Sequence, residues 1–257
     1  MVHGNPTWSV FWRHLVAGLS GTYRCVVPDH MGCGLSDQPP ADRYGYHLAD
    51  RVADLGALVE HLDLRDITLL VHDWGGMITL AWALEHLDRI RSLVIFNTAG
   101  FGLPPGKALP WQIALVRKLG FFEWPVRRLG VFEKGALATC TVKDMAEDVQ
   151  RAFVLPYSDW DSRLAVHRFV ADIPLQKGDP SFEIVERVSG RLNMLQNLPV
   201  QFHWGDKDFV FDEHFLAEWR RRLPGAEVFT YPEAGHYVLE DAHDEILPRV
   251  TEFLARP

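Results

Sequence analysis

The sequence predicts an α/β protein: a mostly parallel sheet flanked by helices and interrupted by a helical insertion. Across the first hundred residues, short apolar runs alternate with stretches of helical spacing, the rhythm that βαβ units produce. The rhythm stops at Gly100, where prolines and helical stretches rich in Trp, Phe and Leu take over, and it resumes near residue 199. The economical account is one core built from residues 1–99 and 193–257, with a helical cap over 100–192.

The elements follow in order. Residues 23–28 (Tyr-Arg-Cys-Val-Val-Pro) have the composition of a buried strand closed by proline. Residues 48–62 set Val52, Leu55, Leu58, Val59 and Leu62 at helical spacing. A strand over 66–71, a compact apolar helix over 75–86 and a third strand over 90–96 come next. Pro104, Pro105, Pro110 and Pro125 punctuate the insertion, where no strand is expected. The closing part offers strands at 199–204 and 226–231 and helices at 212–223 and 239–254.

Composition narrows the function. The 257 residues carry 26 Lys and Arg against 34 Asp and Glu, a net charge of −8. That balance argues against nucleic acid or an anionic membrane as partner, since both need a basic face. No apolar run approaches the roughly 18 residues of a membrane span. Three cysteines (Cys25, Cys33, Cys140) form an odd, sparse set that suits a reducing, cytoplasmic setting.

The sharpest chemical signal is His72-Asp73-Trp74-Gly75-Gly76, between a predicted strand and a predicted helix. A tight strand-to-helix turn lifts one side chain above the sheet edge, needs small neighbours, and aims the first helical N–H groups at that spot. Asp73 stands there, and a carboxylate so placed can attack carbon and form an ester. An ordinary N-cap aspartate explains this segment alone equally well.

Other segments shift that balance. His3-Gly4-Asn5-Pro6 has the form of a loop that supplies oxyanion-type donors, although an Asn-Pro turn is the plainer alternative. His236 follows the last predicted strand, at the sheet end where the turn also lies, and can serve as general base. Among 12 histidines, its position singles it out. An acid should orient that imidazole: Asp208 is favoured and Asp206 is the alternative, with a turn residue as its plain role. Nucleophile, acid and base then occur in the chain order of a nucleophile-elbow hydrolase.

On these motifs, with His3-Gly4-Asn5-Pro6-Thr7 and His72-Asp73-Trp74-Gly75-Gly76 foremost, the sequence resembles the α/β-hydrolase superfamily, in the aspartate-nucleophile branch that includes haloalkane dehalogenases. The resemblance implies that Asn5 and Trp74 donate side-chain N–H groups to a departing anion, for which neutral amide and indole donors are suited. Several relatives fit less well. Epoxide hydrolases normally use two cap tyrosines, and between Gly100 and Val200 only Tyr157 is present. Fluoroacetate dehalogenases place arginine where Trp74 stands, and esterases want serine at Asp73. A branch that takes its acid from the strand before the cap is disfavoured by Asn97 and Thr98.

The insertion resembles the β-lactone decarboxylases of bacterial olefin biosynthesis in Leu103-Pro104-Pro105-Gly106-Lys107, Leu109-Pro110-Trp111, Leu155-Pro156-Tyr157 and Arg168-Phe169-Val170-Ala171-Asp172. That likeness implies opening of long-chain cis-β-lactones with release of carbon dioxide and an alkene. Haloalkane hydrolysis is the alternative, and a non-catalytic, truncated homologue that binds or assembles is a further one. Cap residues Trp111, Phe121, Phe122, Trp124 and Tyr157 are pocket candidates for alkyl chains, with simple cap packing as the plain reading for most.

No cofactor or metal is expected, because neither His-Glu-x-x-His nor paired Cys-x-x-Cys occurs. Gly32-Cys33-Gly34 lacks the lysine of a phosphate loop, and Arg220-Arg221-Arg222 complements a helix dipole. The expected partner is a small apolar substrate, with a homo-oligomer or multi-enzyme assembly compatible. In the fold implied, the Asn5 loop follows a third strand, so on the order of 30 residues, including an edge hairpin, are expected upstream of Met1.

Overall fold

The computed structural model describes residues 1–256. Four parallel strands form one sheet in the order β1 (Ile67–His72), β2 (Ile90–Phe96), β3 (Val200–Gly205), β4 (Glu227–Tyr231). Register aligns Leu70 with Val94, Phe96 with His203 and Gly205 with Tyr231. All four strands therefore end at one edge, where ligands of open parallel sheets are bound.

Alternation along the strands sends side chains into two layers. Leu69, Val71, Leu93, Ile95, Phe202 and Trp204 pack on one face beneath α2 (Leu48–His61), α3 (Trp74–Ala83), α8 (Phe182–Arg191) and α9 (Glu213–Arg222). Leu70, Val94, Phe96 and Tyr231 point the other way, onto α1 (Arg13–Leu19) and α10 (Val238–Leu254) through Trp12, Leu15, Ile246 and Val250. Because both faces are covered, the strands need continuous apolar runs rather than a polar side. Within α3 every residue from Gly75 to Ala83 is buried, which is why that helix is apolar all round.

Between β2 and β3 the chain forms α4 (Trp111–Lys118), a π-helical turn at Pro125–Leu129, α5 (Val131–Thr139), α6 (Glu147–Val154) and α7 (Leu164–Ala171) before α8. Ile113, Val116, Val126, Tyr157, Val166 and Val170 form its own cluster around Trp8. Its later part merges with the sheet core: Leu164, Phe169, Val185, Val188 and Leu192 share the cluster of β1 and β2. The spacing of Val185 and Val188 on α8, continued by Leu192 just past its end, is what turns that side inward.

One expected strand is absent. Residues 23–28 carry no strand, because a ladder needs a partner backbone: Tyr23 N–H turns back to Leu19 O, and the Met1 amino group makes a single bond to the Val26 carbonyl. Val2 instead pairs with Val71 in an isolated parallel bridge. The short helix α1, preceded by a 3₁₀ turn at Ser9–Trp12, was not foreseen.

Candidate active site

The turn after β1 holds Asp73 at φ 50°, ψ −130°, a conformation that L side chains adopt at a cost of about 1–3 kcal/mol. Surrounding bonds fix it. The Asp73 N–H donates to Asn97 O (3.1 Å), and the Asp73 carbonyl accepts from Gly76 N–H (3.0 Å) and the Thr98 hydroxyl. The two glycines are obligatory for space: a Cβ on Gly75 would lie 2.1 Å from the Val2 carbonyl, and one on Gly76 would lie 2.0 Å from Thr98 Oγ1.

The two carboxylate oxygens of Asp73 have different surroundings. Oδ1 accepts the backbone N–H groups of Asn5 (2.8 Å) and Trp74 (2.6 Å). Oδ2 lies 3.4 Å from His236 Nε2. Gly4 lets the Asn5 loop approach, since a Cβ there would sit 2.1 Å from Oδ1. Asn5 Nδ2 donates to Val166 O at 3.2 Å, which leaves its second hydrogen uncommitted. Among the described residues no partner engages the Trp74 indole N–H.

Across the cleft, His236 Nδ1 meets Asp208 Oδ2 at 2.8 Å. Asp208 is buried, and its Oδ1 accepts the N–H groups of Val210 (2.7 Å) and Phe211 (3.1 Å). Asp206 is exposed and its N–H donates to Tyr231 O at 3.1 Å, so the structure brings Asp208, not Asp206, to the imidazole. His236 thus bridges two carboxylates. Burial works against a charged ring, but Asp208 and Asp73 outweigh it and raise the His236 pKa to about 10. For Asp73, burial favours the neutral acid, yet His236 and the Trp74 N–H overcome it and hold the carboxyl below its ordinary range.

Residues to which the sequence assigned no role support this arrangement. His72, beside Asp73, bonds through Nε2 to the His236 carbonyl (2.9 Å); burial first, then His236, lower its pKa to about 3, so it stays neutral and donates. Asn97 clasps Gly205 through both its amide groups (2.8 and 3.2 Å), a role that an orienting acid could not fill. Asp241 accepts from Gly235 N–H (2.8 Å) on one side and from Val142 (3.0 Å) and Lys143 (2.8 Å) N–H on the other, tying the segment after α5 to the His236 loop. Its place just past a loop-to-helix junction was the available signal.

Above these groups lies a cavity of about 400 Å3, with Asn5, Asp73, Trp74 and His236 at its polar end and Phe101, Ile113, Val116, Phe122, Val170 and Phe215 among its apolar walls. Trp111 lines it too, at a rim where the side chain is 71% exposed. Phe121 and Trp124 are exposed and away from it. Tyr157 corrects the expectation made of it: it does not line the cavity but is buried beneath, its hydroxyl donating to Thr7 O at 3.3 Å. A buried phenol needs such a partner, which fixes it in the packing.

The α/β-hydrolase-fold family matches residues 1–243. The chain belongs to that family. Over its whole length it is 47% identical to a protein of Xanthomonas campestris pv. campestris named cis-3-alkyl-4-alkyloxetan-2-one decarboxylase, of which it covers 87%. A Shewanella oneidensis protein of the same name is 42% identical, with 99% of this chain and 80% of that one aligned. Haloalkane dehalogenase 2 of Mycobacterium tuberculosis is 28% identical over 98% of this chain and 86% of its own. Among solved structures, a variant of the haloalkane dehalogenase DatA from Agrobacterium tumefaciens C58 superposes with a TM-score of 0.87 at 25% identity, covering 99% of this chain and 88% of that one. The α/β-hydrolase fold here has no helix, among the described residues, long and apolar enough to cross a membrane.

Proposed function

We propose that this α/β-hydrolase is a β-lactone decarboxylase that opens long-chain cis-β-lactones and releases carbon dioxide and an alkene. The observation that carries the substrate class is the likeness, at 47% and 42% identity along nearly the whole chain, to two proteins named for that reaction. The site geometry supports an aspartate nucleophile. Asp73 Oδ2 attacks the ring carbon that bears oxygen, that C–O bond breaks, and its electron pair stays on the released ring carboxylate. Oδ1 becomes the ester carbonyl oxygen within the N–H groups of Asn5 and Trp74. The Trp74 indole and the free Asn5 amide hydrogen stabilise the new carboxylate. The bond to the carboxylate carbon then breaks; its electron pair forms the C=C bond, carbon dioxide leaves, and the Asp73–carbon bond returns its pair to Asp73. Every bond change is carried by Asp73 and the substrate, so the route needs no cofactor.

His236 holds charge opposite Asp73, and Asp208 holds His236. Residues 100–192 act as a cap, whose cavity walls, with Phe122 inside and Trp111 at the rim, take the alkyl chains. The chain works on a small apolar substrate, alone or within an assembly; its cysteines, all free, support a cytoplasmic setting.

Haloalkane dehalogenation is the second reading, supported by the 28% identical relative and the DatA likeness. There the leaving anion is halide, and water activated by His236 must cleave the ester. The test is a parallel assay of a cis-dialkyl β-lactone and a 1-halohexane. Alkene from the lactone, with little halide from the other, is expected; halide alone would overturn the first reading.

A further inference from the structure

The route above uses no residue of α2, yet α2 buries a guanidinium that forms no ion pair among the described residues. Arg51 is 1% exposed. Among the described residues its one hydrogen bond runs from Nη1 to the Met31 carbonyl at 3.5 Å, and buried Nη2 has no partner. The Asp172 carboxylate lends Arg51 some favourable charge but makes no bond to it, being engaged by His47, the Leu48 N–H and Ser181. What Arg51 does touch is aromatic: its guanidinium carbon lies 3.4 Å from the Phe169 ring centre. Phe169 in turn packs on Trp74, with ring centres 5.5 Å apart. Trp74 borders the cavity beside Asp73.

We infer that Arg51 is a positioning residue for the anion-expelling step: it braces Phe169 against the Trp74 indole and lends positive potential to the place where leaving negative charge collects. The inference rests on the proposed function only in that an anion departs beside Trp74, which lactone opening and halide release share. A buried, unpaired cation is costly, and replacing it with an apolar side chain is commonly neutral or stabilising. Packing alone therefore does not account for an arginine here. Its charge persists at neutral pH because a guanidinium holds its proton even when burial lowers its pKa. The field is screened little in a dry interior. It reaches the Asn5 loop as well: burial chiefly, and Arg51 in addition, hold His3 and His30 below the ordinary histidine range.

A double-mutant cycle with Trp74→Phe tests this on whichever substrate the wild type turns over. Arg51→Met is expected to melt at or above the wild-type temperature and to lose about ten-fold or more in kcat, with KM moving less than about three-fold. In the Trp74→Phe background the same change is expected to cost less than about two-fold, because the indole through which Arg51 acts is gone. Equal losses in both backgrounds, or full kcat in folded Arg51→Met, would overturn the inference. If Arg51→Met does not fold, Phe169→Leu takes its place in the cycle, keeping the cation and breaking the contact; additivity with Trp74→Phe again overturns it. Bromide binding by calorimetry reads the same pocket without turnover. It should weaken several-fold in Arg51→Met, and an unchanged affinity counts against Arg51. A wild type that makes no alkene would sink the lactone reading and leave this measurement intact.

Discussion

Asp73 presents two oxygens to two different tasks, one held by backbone N–H groups and one opposite an imidazole. That division sets the protonation sequence. Before reaction His236 keeps its proton up to about pH 10, because two carboxylates flank it. In the proposed route esterification removes the Asp73 charge and so lowers the pKa of the imidazole, which must release its proton to solvent before it can take one from water. Asp73→Asn is expected to lower turnover of either substrate by roughly 10³-fold or more in steady-state assays. His236→Gln should separate the two chemistries. Halide hydrolysis needs a water deprotonated and is expected to fall by about 10²-fold or more, with alkyl-enzyme visible by mass spectrometry. Alkene formation consumes no water and is expected to fall less. Equal losses would mean that the imidazole takes part in both.

At the scale of elements, the site depends on a strand end, a turn and a helix start that tolerate almost no added atoms. Gly75→Ala would push a methyl into the Val2 and His3 carbonyls, which are backbone and cannot swing aside. It is expected to destabilise by about 2 kcal/mol or more and to lower Tm by several degrees in thermal unfolding. Gly135 in α5 is the opposite case, since an added Cβ there meets nothing within 4 Å and the residue lines the cavity. Gly135→Leu is expected to raise Tm slightly, by removing a mid-helix glycine worth roughly 0.5–1 kcal/mol. The same variant should lower kcat/KM for the longest lactones relative to short ones, measured across a chain-length series. The elbow, the four parallel strands and the order Asp73, Asp208, His236 were legible because each rests on local composition: two glycines after a strand, apolar runs of the right length, an acid and a histidine after strand ends. Residues 23–28 misled because apolar composition does not supply a pairing partner. The roles of Asn97, Asp241 and Arg51 were largely illegible for a different reason. Asn97 meets Gly205 and Asp241 meets Val142 and Lys143 about a hundred positions away, and Arg51 meets an aromatic face; only Asp241's bond to Gly235 is local, and its place past a loop-to-helix junction is the one signal a short motif carries.

The whole molecule carries an electrostatic consequence that its net charge of −8 conceals. Among the described residues five buried histidines are held below the ordinary range, chiefly by burial: His3 at a pKa of about 4, His72 and His203 at about 3, His30 well below the ordinary value and His167 below it, while half-buried His14, at about 4, adds a solvent-screened share. In the unfolded chain each titrates near 6.5. A depressed folded pKa means that the unfolded state binds protons first, so the stability contributed is complete above about pH 6.5 and is lost as pH falls toward 4. Each such histidine removes up to about 1.4 kcal/mol per pH unit across that window. His236 acts with the opposite sign: its raised pKa adds stability below about 6.5 that is lost as pH rises through about 10. Five buried groups pull one way and one the other, so acid sensitivity should begin two units above the range in which paired carboxylates protonate. Urea unfolding midpoints measured from pH 7.5 to 4.5 are expected to fall steadily from about pH 6. His203→Gln should flatten that slope by roughly one histidine's share, since the His203 ring nitrogens bond Gln201 and the Tyr231 hydroxyl, its ring stacks on Phe96 and Phe229, and it lies outside the site. A midpoint constant between pH 7 and 5 would show that these imidazoles gain their protons in the folded state.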